Sequence, residues 1–159
     1  MNLPETTIIG TGGLGSSLAR RFRVNDIPIK SLFNRTASKA HDLADELKVS
    51  ISNSFPASAE ELGPLVFVTV PDRAIQPVAS ELAEITNDFS DHIFVHCSGN
   101  ESADLLESLS EKGAGVASFH PLQTFTKDSS SDSFNGIYFS MQGDRQAFPI
   151  LKAIAQEIG

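Results

Sequence analysis

The chain has 159 residues, enough for one domain with a core and too few for two ordinary ones. With 40% hydrophobic and 20% charged residues it belongs with folding globular proteins and not with disordered chains. A net charge of -8 argues against nucleic acid or an anionic membrane as partner, since both are held through clustered Lys and Arg.

The N-terminus MNLPETTIIG has no basic flank before its apolar run, so no signal peptide is expected. Cys97 is the single cysteine, and no apolar run approaches bilayer length. A cytoplasmic protein is the resulting expectation. The run TTIIG reads as a first strand and LGSSLARRF as a helix. Between them Gly10, Gly12 and Gly15 stand as G-x-G-x-x-G, with Gly13 as an additional glycine. Strand, glycine turn and helix in this order form the dinucleotide fingerprint. Gly10 permits the tight turn, Gly12 removes a side chain where backbone meets pyrophosphate, and Gly15 lets helix and strand approach. Thr11, Gly13 and Leu14 complete the stretch whose free N–H groups would face the phosphates.

The second strand, IKSLF, ends in Asn34, Arg35 and Thr36, with Ser38 and Lys39 beyond. An NAD site places a carboxylate on the ribose 2'-hydroxyl at this point, and none is present here. A guanidinium with neighbouring hydroxyls suits a 2'-phosphate, which favours NADP; the plain alternative is that Arg35 is a solvated surface base. The first forty residues also hold six of the chain's Lys and Arg against two acids, which makes them the place to look for an anion.

Further along, AHDLADELK has helical spacing, and LVFVTV between Pro64 and Pro71 reads as a central strand apolar on both faces. Asp72 is a candidate cap for the helix AIQPVASELAEI. HIFVHC, GVASF and GIYFSM are further strands; Ser102 is a candidate cap for ADLLESL, and Gly113 ends that helix. The serine-rich segment Thr126–Gly136 is expected to be a mobile surface loop, either a ligand lid or a tolerated insertion. In the last helix, Pro149 requires either a start later than Asp144 would give or a kink.

Strands alternating with helices predict an α/β fold: a doubly wound, mainly parallel Rossmann sheet with helices on both faces. Ligands then lie at the carboxyl ends of the strands, where the loops begin at Gly10, at Val70, Pro71 and Asp72, at Cys97 and Ser98, and at His120. Ser98 and His120 are the candidate groups to supply a proton or hydrogen bond to the reacting atom, with a structural strand-end hydrogen bond as the alternative role for His120. Against a thiol nucleophile at Cys97 stands the usual place of a free cysteine in the core, and a metal on His96, Cys97 and His120 lacks a paired ligand spacing.

With NRT at residues 34–36 following the fingerprint, the first half resembles the NADP-binding domains of pyrroline-5-carboxylate reductases, deazaflavin-dependent NADP oxidoreductases and the wider 6-phosphogluconate dehydrogenase-like group. VTVPDRAI at 68–75, HCSGNESADLL at 96–106 and ASFHPLQTF at 117–125 resemble motifs of a Rossmann-like NADP oxidoreductase family. The resemblance implies an NADP-binding domain over residues 1–159, hydride transfer involving a small carbonyl or imine-type substrate, and a C-terminal helical domain that generally makes a homodimer. The chain stops at Gly159, so a fragment without that domain is the expectation, and a non-catalytic dinucleotide-binding or sensing module is the alternative.

Overall fold

The β-branched and aromatic runs form one seven-stranded sheet in the computed structural model, which describes residues 2–159. The strands are β1 (Thr6–Ile9), β2 (Ile29–Phe33), β3 (Ile51–Asn53), β4 (Leu65–Val68), β5 (Ile93–His96), β6 (Gly115–Pro121) and β7 (Phe139–Gly143). Their order is β3-β2-β1-β4-β5-β6-β7; all neighbouring pairs are parallel except β6 and β7. The direction of winding therefore reverses between β1 and β4, and there the loops part to leave a crevice. The short edge strand β3 was not among the runs read from the sequence, because ISN is too brief and too polar to stand out.

Helices α1 (Gly13–Val24), α2 (Ala37–Leu47), α3 (Asp72–Leu82), α4 (Glu107–Ser110) and α5 (Phe148–Ile158) cover the sheet. Alternation along the strands splits the core in two. Ile8, Leu65 and Phe67 join Leu18 and Phe22 of α1, Leu43 of α2 and Leu151 of α5 on one face. Ile9, Val66 and Val68 join Ile75 and Leu82 of α3 and Leu109 of α4 on the other. This confirms β4 as a strand buried on both sides. Under the sheet's amino end, Gly63 N–H donates to Thr7 Oγ1 at 2.8 Å, Thr7 pairs with Ser31 Oγ at 2.7 Å, and Ser31 donates to the Glu61 carbonyl at 2.7 Å. The two end partners have only one role each, so the hydroxyls in between must all point one way.

Three local expectations resolve differently. Pro71, and not Asp72, is the N-cap of α3; Asp72 is its first residue and makes no capping hydrogen bond, though its charge still suits the positive helix end. Ser102 does accept from Asp104 N–H at 3.2 Å, but it caps a 3₁₀ turn, Ala103–Leu106, that leads into the short α4. The last helix begins late: a 3₁₀ turn covers Arg145–Ala147, and Pro149 falls in the first turn of α5, where its missing N–H costs nothing.

The segment from Thr126 to Gly136 is docked and not a loose excursion. Its 3₁₀ turn Ser131–Phe134 places Phe134, wholly buried, 4.6 Å from the Phe125 ring centroid and 6.5 Å from that of Phe139. Ser17 of α1 donates to the Ser129 carbonyl at 3.2 Å. Gly13 acquires a role here: a Cβ on it would stand 2.7 Å from the Thr126 carbonyl carbon, so only glycine lets this segment lie on the first turn of α1. Phe134→Ala is expected to cost roughly 3 kcal/mol in denaturant unfolding. It should also speed native-state tryptic cleavage after Lys127, whereas Tyr138→Ala, at a residue 79% exposed, should do neither. Unchanged cleavage in Phe134→Ala would show that the segment is anchored elsewhere.

Candidate functional site

The β1–α1 turn is fixed by contacts that exclude side chains. Gly10 has φ +103°, a conformation L side chains rarely adopt, and a Cβ on it would lie 2.7 Å from the Thr69 carbonyl oxygen. A Cβ on Gly15 would overlap the Gly10 carbonyl oxygen, so α1 rests on the end of β1. Thr69 Oγ1 donates to that same carbonyl at 2.7 Å. A Cβ on Gly12, by contrast, would meet nothing within 4 Å. The first N–H to carbonyl bond beyond the turn runs from Ser16 to Gly12 at 3.0 Å, leaving the N–H groups before it at the positive helix end. Asn34 Oδ1 accepts from Thr11 N–H at 2.9 Å, and Asn34 Nδ2 donates to the Thr36 carbonyl at 3.1 Å. Asn34 thus ties the glycine turn to the end of β2. The Thr11 hydroxyl is buried with no protein partner.

Two cavities open from this turn. The larger, about 750 Å³, is lined by Gly10, Gly12, Asn34 and Arg35 on one side and by Thr69, Val70, Pro71 and a stripe of α3 on the other. Arg35 is exposed at its rim; Thr36, Ser38 and Lys39 are also exposed but do not line it. The stripe Arg73, Ala74, Pro77, Val78 and Glu81, together with Ser54 and Phe55, was missed from the sequence. The helical spacing of the stripe was visible in principle, since it is the face left over when Ile75, Ala79 and Leu82 enter the core. Phe55, in the turn after β3, carried no signal at all.

The smaller cavity, about 260 Å³, lies between Gly12, Gly13 and Leu14 of the α1 terminus, Val70, Pro71 and Asp72 of the β4–α3 turn, and Cys97 and Ser98 after β5. Burial pushes the Cys97 thiol up to about 12, which removes it as a nucleophile near neutral pH. Ser98 Oγ accepts from Asn100 N–H at 3.2 Å, which leaves its own hydrogen free to donate. His120 does not line this cavity. Its Nδ1 is 3.1 Å from the Cys97 carbonyl, which can only accept, so Nδ1 carries a hydrogen; the ring lies against Gly99, where a Cβ would stand 2.6 Å from Nε2. The wholly buried His96 accepts from Ser98 N–H at Nδ1, 3.1 Å, and donates from Nε2 to the Ser102 carbonyl, 2.8 Å. A ring used in this way is a neutral imidazole that shapes the loop. Among the described residues, no three side chains of metal-binding type cluster.

Two of the six basic residues among the first forty are engaged away from this site. Arg20 pairs with Glu46 of α2 at 2.7 Å, a hydrogen bond that holds the Glu46 carboxyl below its ordinary range. Arg21 donates to the Ile158 carbonyl at the end of α5 at 2.9 Å. Of that group only Arg35 lines the larger cavity.

The fold recurs in solved structures. A prephenate dehydrogenase from Aquifex aeolicus, determined with hydroxyphenyl propionate and NAD+, superposes over 100% of this chain and 58% of its own at a TM-score of 0.79 and 16% identity. A pyrroline-5-carboxylate reductase from Coxiella burnetii matches over 99% and 57% at 0.74 and 16% identity, and an imine reductase from Bacillus cereus over 96% and 51% at 0.72 and 18% identity. The chain spans a little over half the length of each, and at these identities the likeness establishes the fold alone. No curated protein matches this chain significantly. Among the described residues, no helix is long and apolar enough to cross a membrane. Residues 5–100, from β1 through the loop after β5, contain every residue that lines either cavity and match the family model described as NADP oxidoreductase, coenzyme F420-dependent; the chain belongs to that family.

Proposed function

We propose that this chain is the dinucleotide-binding part of an NADP-dependent oxidoreductase acting on a small carbonyl or imine-type substrate. One observation carries the reading: at the crevice where strand order reverses, the end of β2 presents the Arg35 guanidinium, and no carboxylate, to a cavity floored by the Gly12 backbone. The cavity does contain Glu81, but that residue belongs to α3, eight positions and about 12 Å of helical rise beyond Arg73, and not to the end of β2.

The residues present fit a bound dinucleotide. Gly12 leaves open the space a side chain would fill, the α1 terminus offers free N–H groups, and the orphaned Thr11 hydroxyl supplies another donor or acceptor. Gly12, Gly13 and Leu14 would hold the pyrophosphate, while Gly10 and Gly15 set the turn; Gly10 N–H is already taken by the Phe33 carbonyl and Thr11 N–H by Asn34, so these two N–H groups do not face the phosphates as expected. Arg35 would grip a 2'-phosphate, assisted by the hydroxyls of Thr36 and Ser38 next to it. Val70 and Pro71 line both cavities and Asp72 the smaller, and this turn would direct the nicotinamide half into the smaller one. When bound, the nicotinamide supplies hydride transfer. Within the smaller cavity Ser98 can donate its hydroxyl hydrogen to the reacting oxygen or nitrogen. The His120 hydrogen bond to the Cys97 carbonyl supports a positioning role, holding the turn that carries Ser98.

Substitution at the glycines should separate binding from stability. Gly12→Ala is expected to cost less than about 1 kcal/mol of folding stability, because Gly12 has φ -76° and its Cβ meets open space, yet to abolish NADPH binding measured by calorimetry. Gly15→Ala should destabilise by roughly 3 kcal/mol or more, since the added methyl overlaps a backbone carbonyl. If Gly12→Ala binds NADPH as the parent does, the cradle assignment is wrong.

Cofactor choice is tested separately. The parent chain should bind NADPH more tightly than NADH, and Arg35→Ala should weaken NADPH roughly 10- to 100-fold, the loss of a paired charge-assisted hydrogen bond, with NADH little changed. Equal affinities for both dinucleotides in the parent chain would overturn the NADP assignment.

A further inference from the structure

Resting on the NADP reading above, we infer that Arg73 is the second half of a two-guanidinium site for the 2'-phosphate, closing on it from α3 while Arg35 holds it from β2. Both side chains line the larger cavity, from elements on opposite sides of the β1–β4 crevice. Neither enters an ion pair among the described residues, where the single ion pair is Arg20 with Glu46. In a chain of net charge -8, two uncompensated guanidiniums facing one cavity make a local field that an anion would satisfy.

The placement of Arg73 works against its own helix. It is the second residue of α3, at the positive end of the helix dipole, where a cation is unfavourable and an anion would be preferred. Its neighbour Asp72 does not cancel it within the cavity, because Asp72 lines the smaller cavity and Arg73 the larger. Glu81, a carboxylate lining the same cavity, lies two turns further along the stripe from Arg73. Between these charged ends the stripe is apolar, and Ala74, Pro77 and Val78 line the cavity together with Phe55, a surface suited to the flat adenine ring. On this inference a phosphate attached beside that ring would take one guanidinium from each wall of the cavity.

The test compares adenosine 2',5'-bisphosphate with adenosine 5'-monophosphate, probes that differ only in the 2'-phosphate, by calorimetric titration of the parent chain, Arg35→Ala, Arg73→Ala and Arg73→Lys. The parent should prefer the bisphosphate, and Arg73→Ala should lower that preference about tenfold while leaving the monophosphate unchanged, with Arg73→Lys intermediate. The thermal midpoint of Arg73→Ala should stay level or rise, because a cation leaves the positive helix end. An unchanged preference in Arg73→Ala, alongside a collapsed one in Arg35→Ala, would overturn the role of Arg73 and leave the NADP reading standing. Equal weakening of both probes, or a lowered midpoint, would also overturn it by showing an adenine contact or a structural residue. If the parent chain shows no preference, the NADP reading fails together with this inference.

Discussion

The contact on which the rest depends is the seating of Gly15 on the Gly10 carbonyl. Any side chain at Gly15 would occupy the place of that oxygen, so α1 approaches β1 as closely as backbone allows. The Thr69 hydroxyl, reaching across from the end of β4, donates to the same carbonyl and joins the two strands that border the crevice. One oxygen is therefore held from the side and covered from above. The consequence is directional: the free N–H groups of α1 emerge at the crevice and nowhere else, and the side chain missing at Gly12 leaves room in front of them. Moving α1 outward by the width of a methyl group would withdraw those donors and close part of that room.

Around this contact the crevice divides its charge. The turn after β4 carries Asp72 and Arg73 side by side in sequence, yet on a helix adjacent residues point about 100° apart, and the two serve different cavities. The cavity toward β2 is lined by two arginines and by Glu81 further along α3, and the one toward β5 by the Asp72 carboxylate and Ser98. An extended dinucleotide has an anionic adenosine end and a nicotinamide end, and the cavities differ in the same sense. Neither Arg35 nor Arg73 is ion-paired among the described residues, so an anion entering the larger cavity would meet guanidiniums that no carboxylate already holds.

Where the sequence was legible, backbone geometry demanded a particular residue type. Gly10, Gly12 and Gly15 each answer a local requirement, and β4 stood out because burial on both faces forces an unbroken apolar run between two prolines. The less visible features depend on which way side chains face after packing. Phe134 looked like part of a serine-rich loop because its neighbours are polar; only the pocket between α1 and β7 makes it a core residue. Gly13 could not be explained until the segment lying on it, more than a hundred positions later, was in place. The excess of positive charge near the N-terminus pointed to the right region for a mixed reason: Arg35 is at the cavity, while Arg20 and Arg21 fasten α1 to α2 and α5. Arg73, outside those forty residues, escaped such a count altogether.

The histidine-bearing motifs after β5 and within β6 show how a loop without regular structure can be made rigid. His96 uses one ring nitrogen to accept from Ser98 N–H and the other to donate to the Ser102 carbonyl, bridging the loop from below. His120 reaches from β6 to the Cys97 carbonyl, and its ring occupies the space that a side chain at Gly99 would need. Three backbone groups that a surface loop would leave to water are thereby satisfied by imidazoles, and Cys97 is drawn into the core, where its thiol is kept protonated. What remains at the cavity is the Ser98 hydroxyl, which already accepts from Asn100 and so has its hydrogen to give. On the proposed reading, a group held in this manner would enter a reaction with its orientation set beforehand, which is the contribution a protein makes when the hydride chemistry belongs to the cofactor.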